Sequence, residues 1–218
     1  MEKLYAKADL PDLIPDCTDD ILKQLEIYHS LLLKWNRAIN IVSPNTLKSA
    51  WHRHIADSAQ IAKFIPAEAK IYADLGCGGG FPGLIVAMIK PDLETHLVES
   101  DERKCQFMRT VAREAGVENI TIHTKRIEET YDDITPDIIT ARALASLKTL
   151  CDLCLPWAEK NENLQFCFMK GAKADQEIKQ ARARFEFDLQ THKSLTSKDA
   201  QIITMKNLKK IPQPSGKE

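Results

Sequence analysis

A chain of 218 residues can bury one sizeable core plus an appendage, and 44% hydrophobic with 28% charged residues describes an ordinary globular protein. Its 30 basic and 31 acidic side chains leave a formal charge of −1, which excludes indiscriminate nucleic-acid binding by overall charge and leaves only a local basic face. No apolar run approaches the ~20 residues of a membrane span, and the charged start MEKLYAKADLPD is unlike a signal peptide.

The first fifteen residues, with prolines at 11 and 15, read as a loose lead-in. Thr18 or Asp19 then caps a helix through DDILKQLEIYHSLLLKWNRAIN, where Ile21, Leu25, Tyr28, Leu32 and Trp35 recur at helical spacing. Pro44 interrupts, a second helix is expected from about Leu47 to Phe64, and Pro66 closes it. Residues 1–66 therefore read as a helical cap and 67–218 as the main domain, packed as one unit.

From Ile71 the rhythm becomes strand, turn, helix. Apolar runs IYADL, THLVE, ITIHT, DIITA and QFCFMK alternate with helix-like stretches such as ERKCQFMRTVAREAG, which Gly116 ends at a favoured C-cap position. Short apolar strands alternating with helices imply a parallel sheet covered on both faces. FEFDLQTHKSL and AQIITMKNL follow with no helix between them and read as an antiparallel hairpin at one sheet edge. Five alternating units and a final hairpin resemble the layout of a class I methyltransferase, an α/β fold with a Rossmann-like sheet. The six cysteines are spread along the chain, which suits a reduced, cytoplasmic setting, and Cys151 and Cys154 read as small apolar helix residues despite their CxxC spacing.

The stretch KIYADLGCGGGFPG carries five glycines in the eight residues from Gly76 to Gly83, more than a tight turn needs. A strand, glycine loop and helix in this order hold either a dinucleotide or an adenosine-bearing cofactor, and GGGFPG satisfies the GxGxxG pattern of the former. Asp74, expected at the mouth of the loop, would repel a pyrophosphate and suit a cation, which favours S-adenosylmethionine over NAD. Glu99, ending the next strand, is placed to accept hydrogen bonds from both ribose hydroxyls, a feature shared by either ligand. Arg142 follows an apolar strand on the sheet's ligand-binding edge, where it either pairs with Asp74 or Glu128 or approaches the site.

Separated blocks then carry a specific resemblance: LLLKWNRAINIVS, RHIADS, DLGCGGGFPG, ESDERKCQFM, RIEE, TARALASL and MKG. Over roughly residues 20–210 the chain is similar to the RsmG family (glucose-inhibited division protein B), which methylates guanine N7 in 16S ribosomal RNA. The resemblance implies S-adenosylmethionine as cofactor, contacted at Gly76 and Phe81 in the loop, at Ile127 and Glu128 bordering the adenine, and at Arg142, which also approaches the transfer site; Gly78 of the same loop is a further expected cofactor contact. It implies as partner the 16S RNA within the small ribosomal subunit or an assembly intermediate, acted on in the cytoplasm by a monomer with no metal. Departures are small: Cys77, Gly79, Glu99 and Thr140 stand where relatives often carry residues of like size or charge.

The fourth-strand segment DIITARALAS holds neither the (N/D)PP(Y/F) block of amine methylation nor a Pro-Cys pair. Guanine N7 has an exposed lone pair and attacks a sulfonium methyl without a general base, so alignment and water exclusion are the main demands. RNA contacts are expected from Lys34, Arg37, His52, Arg53 and His54 in the cap, from Lys170 and Lys173, and from Lys206, Lys209 and Lys210, with Lys170 foremost. Arg53 and Asp57, four apart, are alternatively an ion pair at the cap junction. Two other readings remain: a methyltransferase-like RNA-binding regulator without turnover, and an NAD-dependent oxidoreductase.

Overall fold

A computed structural model describes residues 4–14 and 17–212; Pro15 of the expected lead-in lies outside the described residues. The lead-in is not loose where it is described. A short helix α1 (Leu10–Leu13) buries Leu10 completely, and Ile14 follows it into the core. Helix α2 (Asp19–Trp35) starts at Thr18, whose hydroxyl accepts from the Ile21 N–H, and buries the stripe Ile21, Leu25, Tyr28, Leu32. The second expected helix is broken. After α3 (Pro44–Leu47), residues Trp51–Ala56 wind as a π-helix, followed by α4 (Asp57–Ala59) and a 3₁₀ turn, Gln60–Phe64. A wider turn shifts the hydrogen-bond register without erasing the apolar spacing, so a 3.6-residue pattern does not register it.

The main domain alternates as expected. Strands β1 (Ile71–Leu75), β2 (Glu94–Val98), β3 (Ile120–His123), β4 (Ile138–Arg142) and β5 (Gln165–Lys170) run parallel, while β6 (Phe185–Lys193) and β7 (Gln201–Lys210) form the hairpin. The sheet order is β3-β2-β1-β4-β5-β7-β6, with β7 antiparallel to β5. Helices α5 (Gly83–Ile89), α6 (Glu102–Ala115), α7 (Leu147–Lys160) and α8 (Ala174–Arg182) cover its faces. Gly116 takes the left-handed conformation that ends α6.

Because β1 pairs with both β2 and β4, the chain reverses direction across the sheet there, and a crevice opens beyond the strand ends. The cap seals one side of it. One apolar cluster runs without interruption from Leu10, Leu25 and Tyr28 of the cap to Leu84, Phe107 and Met108 of α5 and α6. On the other face α7 buries Trp157 together with Cys151 and Cys154, whose thiols burial pushes upward in pKa, leaving them protonated packing groups.

Candidate active site

The glycine loop between β1 and α5 forms one wall of a cavity of about 550 Å³. Gly76 and Gly78 adopt φ of 60° and 58°, a region that L side chains rarely enter. A Cβ on Gly78 would meet no atom within 4 Å, so the open space beside the loop belongs to the cavity. The loop is also held from behind. The hydroxyl of buried Tyr28 donates to the Gly79 carbonyl at 2.7 Å, and its ring meets Phe81 edge-on at 5.1 Å. Asn36 folds the segment after α2 by accepting from the N–H groups of Ile41 and Val42, which brings both residues to the cavity wall.

Asp74 is not where the sequence suggested. It is fully buried beneath the loop and does not line the cavity. One oxygen accepts from the Gly83 N–H at 2.7 Å and the other from the Thr140 hydroxyl at 2.8 Å; Tyr72 OH lies 2.7 Å from that same hydroxyl. Strand alternation explains the correction: Asp74 points to the face that α5 covers, so its charge meets the first turn of that helix. Burial pushes its carboxyl up to about 7, against the pull of those two hydrogen bonds and of Arg142. The Gly83 N–H, which a pyrophosphate would seek, is thereby already occupied.

Glu99 is the carboxylate that does line the cavity. Its two oxygens accept from the N–H groups of Gly78 at 2.9 Å and Asp101 at 2.8 Å, and each keeps a lone pair for a hydroxyl donor. Ile127 and Glu128, in a 3₁₀ turn after β3, line the same cavity, as do Gly76, Gly78 and Phe81. A glycine cradle, a hydrogen-bonded carboxylate and an apolar border of Val98, Ile127 and Leu144 fit an adenosine.

Arg142 closes the far end, and its partners come from the cap. Nε lies 3.2 Å from Asp57 Oδ2, Nη2 donates to the Arg53 carbonyl at 2.6 Å and reaches His54 Nδ1 at 3.3 Å, and the guanidinium stands 5.7 Å over the Phe81 ring. The expected alternatives, pairing with Asp74 or Glu128, and pairing of Arg53 with Asp57, are replaced by this contact. Asp57 also accepts from Gln60 and Thr196 through its other oxygen, while Arg53 meets Arg142 through its backbone carbonyl. Burial and the nearby guanidinium groups of Arg142 and Arg53 push His54 down to about 3. Neutral His54 thus accepts from Arg142 through Nδ1, which leaves Nε2–H to donate to Thr46 at 2.9 Å.

The basic residues separate into groups. Lys34, Arg37, Arg53, Lys173, Lys206, Lys209 and Lys210 are exposed. Lys170 is not: it is buried, with its ammonium 2.6 Å from both the Ala145 carbonyl and Glu177, so it is turned away from an RNA phosphate. A strand-end lysine read as a surface group here ties β5 to α8. His52 and His54 are likewise internal. Sequence reading missed Tyr28 and Asn36 as loop supports, because side chains facing a core helix and a loop interior resemble packing residues. It also missed Lys104, Lys125 and Arg126 at the cavity margin.

A doubly wound sheet with an antiparallel terminal hairpin, a glycine-loop cavity at the β1/β4 reversal and an acid just after β2 define a class I methyltransferase fold. Solved structures share it at low identity: the glycopeptide N-methyltransferase MtfA complexed with S-adenosylmethionine (TM-score 0.55, 10% identity, 68% of this chain and 92% of that one) and the ribosomal protein L11 methylase of Lactobacillus delbrueckii subsp. bulgaricus (TM-score 0.56, 17% identity, 72% and 79%). The family model for rRNA small subunit methyltransferase G matches residues 21–206. Ribosomal RNA small subunit methyltransferase G of Rhizobium rhizogenes is 42% identical over 84% of this chain and 90% of its own length, and that of Rhizobium meliloti 42% identical over 87% and 90%. The chain belongs to the rRNA small subunit methyltransferase G family, also called GidB.

Proposed function

We propose that the chain transfers the methyl group of S-adenosylmethionine to N7 of one guanine in the 16S RNA of the small ribosomal subunit, in the cytoplasm where that subunit is assembled. The reading is supported by family membership and, above all, by the groups at the end of the cavity. Beside Phe81 stand a guanidinium held by three cap groups and a histidine that stays neutral down to about pH 3. His54 Nδ1 and the Asp57 carboxylate are both committed to Arg142. An acceptor that brings its own lone pair and gives up no proton in the attack suits these surroundings, and guanine N7 is such an acceptor.

S-adenosylmethionine supplies an electrophilic methyl carried on a sulfonium. Glu99 would take the ribose hydroxyls, Ile127 and Glu128 would border the adenine, and the glycines would let the backbone approach. Asp74 contributes by fixing the first turn of α5, and so the shape of the loop, without touching the ligand. Phe81 and Arg142 would exclude water and align the acceptor.

The test is transfer of labelled methyl from S-adenosylmethionine to small-subunit particles that lack the modification, with large-subunit RNA and DNA as controls. Label should appear as 7-methylguanine at one position and disappear in Arg142→Ala. Tight cofactor binding with no transfer to particles, free RNA or assembly intermediates would instead support the regulatory reading.

A further inference from the structure

A second cavity, of about 330 Å³, adjoins the first and shares Arg142 and Ala143 with it. It opens beyond the ends of β4 and β5, beneath the turn joining β6 to β7. Arg142, Met169 and Ile202 stand in register across β4, β5 and β7, so two strand spacings, about 9.6 Å, separate its side walls. Met169, Ala143 and Ala172 give it apolar surface.

Its polar groups have a definite sense. Nε and Nη2 of Arg142 are engaged by the cap, which leaves Nη1 without a partner among the described residues and fixes the guanidinium plane. Asp57 and Lys170 also line the space, but their charges are held by internal partners. Asp199, in the β6–β7 turn, is exposed and has no hydrogen-bond or ion-pair partner among the described residues. Arg53 is exposed at the rim and forms no ion pair with a described residue. The cavity lining therefore offers a donor on Arg142 and a double acceptor on the Asp199 carboxyl group.

We propose that this cavity receives the acceptor base, and that Asp199 makes it specific for guanine. Guanine carries an acceptor, O6, beside N7, and on its far edge two donors, N1–H and the N2 amino group. With N7 toward the cofactor cavity, O6 accepts from Arg142 Nη1 while N1–H and N2–H donate to the two oxygens of Asp199. Adenine would turn an amino donor toward Arg142 and a bare N1 toward the carboxylate, so both groups reject it. The base enters unstacked from its RNA, and Arg53 at the rim meets a phosphate.

The inference rests on the guanine-N7 reading, and the test separates the two. Small-subunit particles are assembled on 16S RNA with guanosine or inosine at the modified position, and initial rates are compared for the wild type and Asp199→Ala. Inosine keeps N7, O6 and N1–H but lacks the N2 amino group. The wild type should prefer guanosine by roughly tenfold, and Asp199→Ala should lose roughly tenfold to a hundredfold on guanosine. The variant should then treat guanosine and inosine alike, with its S-adenosylmethionine dissociation constant unchanged, since Asp199 is exposed and lies outside the first cavity. A variant that still prefers guanosine as the wild type does, or a wild type indifferent to the amino group, overturns the assignment to Asp199. No transfer by the wild type to either particle would refute the functional reading itself.

Discussion

The hydroxyl of Tyr28 ties helix α2 to the glycine loop, and Tyr28→Phe isolates that contact. The phenol donates to the Gly79 carbonyl at 2.7 Å from a side chain with no exposed surface, and burial raises its pKa well above 10, so it remains a donor throughout the working pH range. Phenylalanine keeps the ring against Phe81 and Phe107 but leaves the carbonyl unpaired in a dry setting. An unpaired buried acceptor costs about 1–3 kcal/mol. We expect the unfolding free energy in urea to drop by that amount. The S-adenosylmethionine dissociation constant, measured by titration calorimetry, should rise severalfold, because a carbonyl turning toward water drags the loop from its cavity-forming shape. Tyr28→Ala, which also removes the ring, should cost more, about 3–5 kcal/mol. Stability and affinity within about 0.3 kcal/mol of wild type in Tyr28→Phe would refute the idea that the cap braces the loop.

Asp74 makes stability depend on pH with a known sign. Its carboxyl is raised from 3.8 to about 7 in the folded chain, so its contribution is full below about pH 4 and is lost as pH rises through 7. The rise bounds the effect at about 4 kcal/mol. Asp74→Asn should therefore lose less stability than wild type between pH 4 and 8, and parallel pH curves for the two proteins would contradict this. Arg142→Ala should cut transfer at least a hundredfold and cost about 1–3 kcal/mol of stability, less than a fully buried pair because Asp57 keeps Gln60 and Thr196. Arg142→Lys should restore part of the stability but little of the rate, since an ammonium does not reproduce the fork; full rescue of rate by lysine would argue against it. In Gly83→Ala the new Cβ would lie 2.3 Å from Leu97 Cδ2 and 2.7 Å from Asp74 Cβ, an overpacking worth about 1–3 kcal/mol. An unchanged melting temperature in that variant would refute tight packing of α5 against Leu97 of β2 and Asp74 of β1.

Much of the fold was legible locally because local physics determines it. Alternating apolar runs marked all five parallel strands, Gly116 marked the end of α6, and the absence of a helix between the last two runs marked the hairpin. The glycine loop was legible too, since positive φ leaves few choices of residue at Gly76 and Gly78. So were Glu99, Ile127 and Glu128 at the cavity, the last two through resemblance of their block to a family rather than through their own chemistry.

What tertiary structure decided was the direction in which charged side chains point and the partners they meet. Asp74 lies near the end of β1 and Glu99 just after β2, yet the first is swallowed beneath α5 and the second faces the cavity. Lys170 looks like a surface lysine in sequence and becomes a buried tie to Glu177, 7 residues along the chain. Arg142 finds Asp57 across 85 residues of chain, not the nearer Glu128. Periodicity reports which face of an element is apolar, because that is a property of the segment alone. Where a charge finds its counterpart depends on how distant segments pack, and no local pattern carries that information. The sequence by itself therefore determined the glycine-loop scaffold, while the second cavity, shared between β4, β5, the last hairpin and the cap, exists only once those segments have met.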